Sequence, residues 1–197
     1  MTRIIGGVAG GRQIAAPPGN RTRPTSDKVR EALFSSLESR GLVDGAVVLD
    51  LYAGSGALGL EALSRGASHV TCVDDHAGAV ATIRRNADTL GLPGLDVRRG
   101  AVATVLGRGA PARPADLVLA DPPYDIPETD LTTTLRLVVD QGWLAPDAFL
   151  VVERSSRNPE PTWPAAVEPD GRKVYGETTI WFAWGPGADD APARVEP

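Results

Sequence analysis

The sequence predicts an α/β fold in which helices cover both faces of a mostly parallel β-sheet. Short apolar runs alternate with amphipathic segments along most of the chain, and the first run of this series leads into a glycine-rich loop. Such alternation is typical of a parallel sheet, because each parallel connection needs a crossover that a helix usually supplies. The last two apolar runs are separated by only two residues, which predicts an antiparallel hairpin at the end of the sheet.

The composition fits one globular domain with a full hydrophobic core. The chain has 197 residues, of which 42% are hydrophobic and 23% charged, and this excludes a disordered or fibrous protein. The single cysteine, Cys72, excludes an intramolecular disulfide and a four-cysteine metal site, and we expect no bound metal. No apolar run approaches the length of about 18 residues that spans a bilayer, and the N-terminus lacks a signal-peptide core. We therefore expect a cytoplasmic protein without a membrane partner.

Residues 1–40 predict an extension ahead of the main domain. Residues 3–7 and 12–15 flank a turn-forming segment and predict a β-hairpin. A hairpin is only marginally stable alone, so it must lean on another element, and we expect it to project from the cofactor fold toward RNA. A helix follows, because apolar residues recur at helical spacing at Val29, Leu33 and Leu37. Thr25 or Ser26 can form its N-cap, and Gly41 ends it.

Residues 41–185 carry the alternating pattern. The apolar runs that predict parallel strands are residues 46–49, 69–73, 95–97, 116–120 and 148–152. Three helices are predicted between these strands. The first follows the glycine loop and ends near residue 65, and the other two span residues 79–90 and 131–139. The closing hairpin is predicted from residues 172–175 and 178–184, surface loops from 107–114 and 159–171, and a disordered acidic tail from 186–197.

The glycine-rich loop predicts a cofactor site. Gly54, Gly56 and Gly59 match the pattern G-x-G-x-x-G between a strand and a helix, where absent side chains let a ligand contact the backbone. Asp74 ends the next strand 20 residues after Gly54, a position that usually holds a ribose diol. The pattern alone fits a nicotinamide or flavin dinucleotide, S-adenosylmethionine, or tight packing of a helix on a strand with no ligand.

The charge of Asp50 favours one of these ligands. Asp50 stands at the tip of the first parallel strand, ahead of the glycines. Its carboxylate would repel the pyrophosphate of a dinucleotide and attract the ammonium group of a methionine moiety. We therefore expect S-adenosylmethionine as cofactor.

The segment Asp121-Pro122-Pro123-Tyr124, directly after the fourth parallel strand, predicts a catalytic site. In doubly wound sheets this strand lies beside the first, so the segment and the glycine loop should face each other. The residue types suit methylation of an exocyclic amine on a nucleobase. Asp121 and the Pro122 carbonyl can accept the two N–H groups and direct the nitrogen lone pair. The two prolines stiffen the loop, and Tyr124 offers a face for stacking. The alternative is a turn that only ends a strand.

Basic side chains are concentrated at the start of the chain. Residues 1–30 carry a net charge of +5, whereas the whole chain carries −5 and the remaining residues therefore −10. We expect this basic arm to dock RNA phosphates. The alternative is biased composition, because 18 of the 20 basic residues are arginine. The residues expected to contact RNA are Arg3, Arg12, Arg21, Arg23, Thr25, Lys28 and Arg30.

The sequence resembles a known family across nearly its whole length. The segments that carry the likeness are residues 3–7, 23–25, 29–34, 48–67, 121–124 and 175–178. In this order they resemble the bacterial 16S ribosomal RNA guanine-N2 methyltransferases of the small-subunit methyltransferase D type. The arginine-proline-threonine element at residues 23–25 and the following helix pattern separate this family from other Asp-Pro-Pro-Tyr enzymes.

The resemblance implies a class I S-adenosylmethionine-dependent methyltransferase fold, which is Rossmann-like with a seven-stranded sheet. It implies methyl transfer to N2 of guanine 966 in 16S rRNA, with S-adenosylhomocysteine as product and the assembled or assembling small subunit as substrate of a monomeric enzyme. The catalytic residues it implies are Asp121, Pro122, Pro123 and Tyr124. The cofactor-binding residues it implies are Asp50, Tyr52, Ala53, Gly54, Ser55, Gly56, Gly59, Asp74, Asp75 and Ala101.

Two positions depart from the family pattern. The second parallel strand ends in Asp74-Asp75-His76 where the family usually has a glutamate, and Ala101 stands where an aspartate commonly meets the adenine amino group. We therefore expect backbone groups to recognise the adenine. Two other functions remain open on the residues alone: a dinucleotide-dependent oxidoreductase that uses the same glycine loop, and a non-catalytic ribosome-assembly factor.

Overall fold

The computed structural model describes residues 2–17, 26–109 and 111–187. Its main element is a seven-stranded sheet in the order β5-β4-β3-β6-β7-β9-β8. The strands are β3 (Val47–Leu51), β4 (His69–Asp74), β5 (Leu95–Arg99), β6 (Ala115–Ala120), β7 (Leu144–Ser155), β8 (Glu168–Tyr175) and β9 (Thr178–Trp184). Strands β3 to β7 are parallel to their neighbours within this group, and β9 is antiparallel to both β7 and β8. The predicted α/β class and the closing hairpin are confirmed.

Helices pack on both faces of this sheet. The helices are α1 (Asp27–Ser39), α2 (Ala57–Ser64), α3 (Ala77–Leu90), α4 (Val102–Leu106) and α5 (Glu128–Asp140). Apolar side chains of α1, α2 and α3 form one core with the first face. Those of α4 and α5 form a second core with the other face. Strands β3, β4 and β6 and the centre of β7 are therefore buried on both sides, which explains their largely apolar runs. Edge strand β5 is only half-buried.

Three elements differ from the sequence-based prediction. Helix α4 was not predicted, because its five residues are too few to show a helical period. Strand β7 extends the predicted strand at both ends. Strand β8 begins at Glu168, inside the segment predicted as a loop, and its residues are almost all exposed. An exposed edge strand lacks the apolar alternation on which strand prediction depends.

Helix α1 begins and ends as predicted. The Ser26 hydroxyl accepts a hydrogen bond from Val29 N at 3.3 Å, which makes Ser26 the N-cap. Gly41 follows the helix with a φ of 71°, a left-handed conformation that favours glycine. The alternative cap, Thr25, lies outside the described residues.

The N-terminal segment packs against the body, which confirms that its hairpin needs support and shows that the expected projection is wrong. We call residues 2–17 the strap. Its strands β1 (Thr2–Arg3) and β2 (Gln13–Ile14) pair antiparallel around a short 3-10 turn. Ile4, Ala9 and Ile14 are buried in the core beside α1, α2 and α3. The strap needs this contact, because a two-stranded hairpin buries too little surface to be stable alone.

Close backbone contact holds the strap on α2. Gly7 has a φ of 73°, and a Cβ at this position would lie 1.8 Å from the Ser64 carbonyl oxygen. Ala9 N donates to Ser64 Oγ at 2.9 Å. Only glycine permits this approach.

Within the described residues, no helix is long and apolar enough to cross a membrane.

Candidate active site

The glycine loop and the Asp-Pro-Pro-Tyr segment begin side by side at the carboxyl edge of the sheet. In the parallel register of β3 and β6, Leu51 lies opposite Ala120. Asp121, the residue directly after β6, donates its backbone N–H to the Leu51 carbonyl at 3.4 Å. Strand β3 has β4 on one side and β6 on the other, so the strand order reverses here. The predicted juxtaposition is confirmed at the point where doubly wound sheets bind ligands.

Backbone hydrogen bonds hold the glycine loop in shape. Gly54 and Gly56 have φ values of 56° and 79°, in the left-handed region that favours glycine. Gly56 N donates to the Ala53 carbonyl at 2.7 Å, and Gly54 N donates to Asp74 Oδ2 at 2.8 Å. Helix α2 starts directly after Gly56. The chain's own groups therefore fix the course of this loop.

Asp50 supports this loop from the interior. Its side chain is 1% exposed, and Oδ2 accepts hydrogen bonds from Gly59 N at 2.9 Å and from Cys72 Sγ at 3.7 Å. Burial raises the pKa of Asp50 to about 7, although the hydrogen bond from Gly59 favours the charged form. The structure therefore corrects the expectation of direct attraction between Asp50 and a ligand ammonium: the carboxylate holds the start of α2.

Gly59 is required by the same contact. A Cβ at this position would lie 3.0 Å from Asp50 Oδ2 and 2.9 Å from both Cys72 Sγ and Val70 Cγ1. All three neighbours are buried in the sheet. Gly59 therefore lets α2 approach β3 and β4 closely, which is the packing function of the last glycine in such loops.

Acidic groups stand at the end of β4, next to the loop. Asp74 Oδ1 accepts from His76 N at 2.9 Å while Oδ2 accepts from Gly54 N. Asp75 is exposed. Gly100 N donates to the Asp74 carbonyl at 3.0 Å, which brings exposed Ala101 to the same edge. The residues predicted for ribose and adenine are therefore neighbours of the loop.

Tyr52 takes a different place from the one predicted. Its phenol oxygen lies 2.9 Å from Thr134 Oγ1 on α5, and its ring packs on the core formed by α4 and α5. Burial raises the pKa of this phenol. With a φ of 61°, Tyr52 turns the chain from β3 into the loop. Its side chain therefore binds α5, and only its backbone borders the cofactor loop.

The Asp-Pro-Pro-Tyr segment combines a rigid interior with an exposed ring. Pro122 is buried, Asp121 is half-buried and Tyr124 is 44% exposed. Ile126 N donates to the Pro123 carbonyl at 3.0 Å, which turns the chain toward α5. An exposed aromatic ring on a stiff loop is suited to stacking on a planar group.

The first residue of α5 forms a brace between this helix, β7 and the loop before β8. Glu128 Oε2 lies 2.5 Å from Arg154 Nη1, and Glu128 Oε1 accepts from Thr162 N at 3.1 Å. Partial burial alone would raise the pKa of Glu128, but these two partners outweigh it and hold the pKa below its ordinary value. Sequence analysis missed this brace, because its members are far apart in the chain and match no motif.

The residues expected to bind RNA fall into four groups, the last of which is Arg30 alone. Arg3 and Lys28 are exposed, and Arg3 Nε lies 3.1 Å from Asp27 Oδ2. Arg12 donates to the Leu90 carbonyl at 2.8 Å and also to that of Thr89, so it caps the end of α3. Arg21, Arg23 and Thr25 lie outside the described residues.

Arg30 is removed from the RNA-binding surface. Its side chain is fully buried, with Nη2 3.0 Å from Asp27 Oδ1 and Nε 3.5 Å from Glu61 Oε2. A buried guanidinium cannot reach a phosphate, so the prediction for this residue is wrong. Glu61 was missed by sequence analysis, and its signal was a lone acid within an otherwise apolar helix.

Comparison with known proteins identifies the family. A family model described as Conserved hypothetical protein 95 matches residues 2–184. The Escherichia coli protein named ribosomal RNA small subunit methyltransferase D is 38% identical over 176 residues, which cover 89% of this chain and 85% of that protein. The chain belongs to the ribosomal RNA small subunit methyltransferase D family. The resemblance that the motifs indicated is confirmed.

Solved structures agree with this assignment to the methyltransferase D family. The structure of the Escherichia coli protein yhhF superposes with a TM-score of 0.81 and 36% identity, and covers 94% of this chain and 98% of its own. The methyltransferase SMU.776, solved with SAH, has a TM-score of 0.63 at 15% identity, and covers 80% of this chain and 48% of its own. The second likeness shows the fold alone. Both agree with the class I methyltransferase architecture expected for the methyltransferase D family.

Proposed function

We propose that this protein transfers a methyl group from S-adenosylmethionine to N2 of guanine 966 in 16S rRNA, in conventional numbering. One observation carries the proposal: the glycine loop after β3 and the Asp-Pro-Pro-Tyr segment after β6 share one edge of the sheet. A methyl donor on the loop would then stand beside an amine held by Asp121. Membership in the methyltransferase D family supports rRNA as the methylated molecule.

The groups at this edge fit S-adenosylmethionine better than a dinucleotide. Asp74, Asp75 and Asp121 place carboxylates around the loop, and these would repel a pyrophosphate. The Gly54–Gly56 backbone would hold the methionine moiety, Asp74 and Asp75 the ribose, and the backbone near Ala101 the adenine. The bound cofactor supplies an electrophilic methyl group on a sulfonium ion.

At the base, the chain's own groups prepare the nitrogen. The amine of guanine is a weak nucleophile, because its lone pair is delocalised into the ring. The Asp121 carboxylate and the Pro122 carbonyl would accept its two N–H groups and turn its lone pair toward the methyl group. The Tyr124 ring would stack on the guanine. The N–C bond would form as the S–C bond breaks, and the methylated nitrogen, now acidic, would then lose one proton to Asp121 or to water.

The strap and the start of α1 would dock the RNA. Outside residues 1–30 the protein is acidic and repels phosphates, so binding needs a local basic surface. Of the described residues, Arg3, Arg12 and Lys28 remain candidates, and Arg21, Arg23 and Thr25 complete the proposed set. We propose that a monomer binds the assembled or assembling small subunit.

The deciding experiment measures methyl transfer and identifies the product. Small subunits and deproteinised 16S rRNA that lack the modification are incubated with labelled S-adenosylmethionine, and the modified nucleoside is identified by mass and chromatography. We expect N2-methylguanosine, at a higher yield from subunits. N6-methyladenosine would contradict the guanine assignment. Calorimetry with S-adenosylmethionine and NAD addresses the cofactor, and binding of NAD alone would contradict methyl transfer.

A further inference from the structure

Asn86 of α3 joins two segments that are far apart in the chain. Its Oδ1 accepts from Ala15 N at 2.9 Å, and its Nδ2 donates to the Ala15 carbonyl at 3.0 Å and to the Ser55 carbonyl at 3.1 Å. Both amide hydrogens and the amide oxygen are therefore in use. The side chain is 4% exposed, so water cannot easily replace these partners. One buried side chain thus connects the strap to the glycine loop.

The bond to Ser55 orients a peptide group of the cofactor loop. The Ser55 carbonyl and Gly56 N belong to the same peptide unit. The carbonyl oxygen of this unit accepts a hydrogen bond from Asn86 Nδ2, and its N–H donates one to the Ala53 carbonyl at 2.7 Å. A shift of Asn86 would therefore rotate the peptide that lies between the two positive-φ glycines of the loop.

The two hydrogen bonds to Ala15 fix the Asn86 side chain to the strap, so a movement of the strap would move Asn86. Other hydrogen bonds between the strap and the body end elsewhere. Ile5 N and Gly6 N donate to Glu61 at 2.7 and 2.8 Å, and Ala9 N donates to Ser64 Oγ, all on α2. Arg3 binds Asp27 on α1, and Arg12 binds the last carbonyls of α3. Among the described contacts of the strap, those of Asn86 are the ones that continue to the glycine loop.

We propose that Asn86 couples RNA binding at the strap to cofactor binding at the glycine loop. RNA held by exposed groups of the strap would fix Ala15, and through Asn86 it would fix the loop peptide in the form that binds cofactor. Linkage requires the reverse effect to be equal, so cofactor must tighten RNA binding by the same factor. The proposal rests on the proposed function for the identity of the two ligands. Asn86 is a positioning residue, since it touches neither.

The test compares the coupling factor in three proteins: wild type, Asn86→Ala and Ser64→Ala. The affinity for unmodified small subunits is measured without and with saturating S-adenosylhomocysteine, which prevents turnover. Ser64→Ala is the matched control, because Ser64 also makes two hydrogen bonds to the strap, from Ala9 N and to the Gly6 carbonyl, but none to the loop. Thermal melting shows whether each variant is folded.

We expect S-adenosylhomocysteine to tighten subunit binding by about fivefold or more in the wild type. The factor should fall to within about twofold of one in Asn86→Ala and stay at the wild-type value in Ser64→Ala. An unchanged factor in Asn86→Ala, or an equal loss in both variants, would overturn the coupling role. So would a wild type that binds both ligands with a factor of one. A wild type that binds neither subunits nor S-adenosylhomocysteine would instead contradict the proposed function.

Hydrogen exchange on the wild type gives a second measurement if Asn86→Ala does not fold. Addition of S-adenosylhomocysteine should slow exchange of the Ala15 amide, which donates to Asn86, more than exchange of the Ala9 amide, which donates to Ser64. Equal slowing, or none at Ala15, would also overturn the proposal.

Discussion

Arg30 and Glu61 form an ion pair in which both side chains are fully buried, with Arg30 Nε 3.5 Å from Glu61 Oε2. Glu61 also accepts from Ile5 N, Gly6 N and Arg65 Nε. The pair therefore joins α1, α2 and the strap at one point. A carboxylate and a guanidinium are tolerated inside the protein here because each neutralises the other.

Breaking this pair should destabilise the protein strongly. Arg30→Met removes one of the two cations that face the buried Glu61 carboxylate, which keeps Arg65 Nε at 2.7 Å. We expect a loss of about 1.5–3 kcal/mol in the free energy of unfolding, measured by chemical denaturation. Arg3→Ala is the control, since it breaks an exposed pair with Asp27 and should change stability by less than about 1 kcal/mol. Equal effects of the two substitutions would contradict the role of burial.

Asp50 should make stability depend on pH. Its pKa is about 7 in the folded protein against the ordinary 3.8 of an aspartic acid in the unfolded chain, so the folded state binds more protons between these limits. Stability should therefore fall as pH rises from 4 to 7, by an amount that approaches roughly 4 kcal/mol for the full shift. Asp50→Asn keeps an acceptor for Gly59 N and should lose this dependence. Parallel pH curves for wild type and variant would contradict the assignment.

Gly7 should be intolerant of alanine. Its Cβ would overlap the Ser64 carbonyl oxygen, so Gly7→Ala should detach the strap, lower the melting temperature and expose the segment to proteolysis. Gly11→Ala is a matched control in the same segment, because Gly11 also has a positive φ of 81° but a Cβ there meets nothing within 4 Å. Backbone strain alone should weaken that variant by about 1–2 kcal/mol. Equal losses would mean that strain, and not the close approach, decides.

Asp121 should matter for turnover and hardly for cofactor binding. Because its proposed task is at the amine, Asp121→Asn should lower the rate of methyl transfer by about 100-fold or more and leave affinity for S-adenosylmethionine within about twofold. Asp125→Asn, four residues along the same loop and exposed, should behave like the wild type. A large loss of cofactor affinity in Asp121→Asn would place this carboxylate at the cofactor.

Tyr124 should act through its ring. Tyr124→Ala removes a stacking face that contributes about 1–3 kcal/mol per base, so substrate affinity and turnover should fall by tenfold or more, whereas Tyr124→Phe should be mild. The measurement is kcat/KM for methyl transfer to small subunits. If both substitutions are equally harmful, the hydroxyl is the active group and the stacking role is wrong.

Local patterns predicted the architecture well. Apolar runs mark strands that are buried on both faces, and glycines with positive φ mark the turn into α2, so both are visible without tertiary information. The facing positions of Gly54 and Asp121 follow from the rule that links strand order to the switch point. Helix α4 escaped prediction because five residues are too few to show a helical period. Only the second half of β8 was predicted, because its exposed first half lacks apolar alternation.

The tertiary roles of polar residues were harder to predict. Arg30 precedes Leu33, Phe34 and Leu37 by three, four and seven residues, so helical spacing already placed it on the buried face. Its positive charge nevertheless indicated an RNA contact, and only the position of Glu61 shows why it is inside. Truncation of the first 20 residues would remove core residues and the partner of Asn86, so it would disturb more than RNA docking. Single substitutions on the strap are therefore the sounder test.

The bond between Ala15 and Asn86 spans 71 residues of sequence, and this affects how the protein is made. During synthesis the strap leaves the ribosome before α2 and α3, the helices that it covers. Until those helices follow, Ile4, Ala9 and Ile14 have no surface to pack against, and the short hairpin is unstable alone. The segment that is translated early must therefore settle late, after β4 and α3 have formed. A nascent chain that stalls before α3 would expose these three side chains to chaperones and proteases.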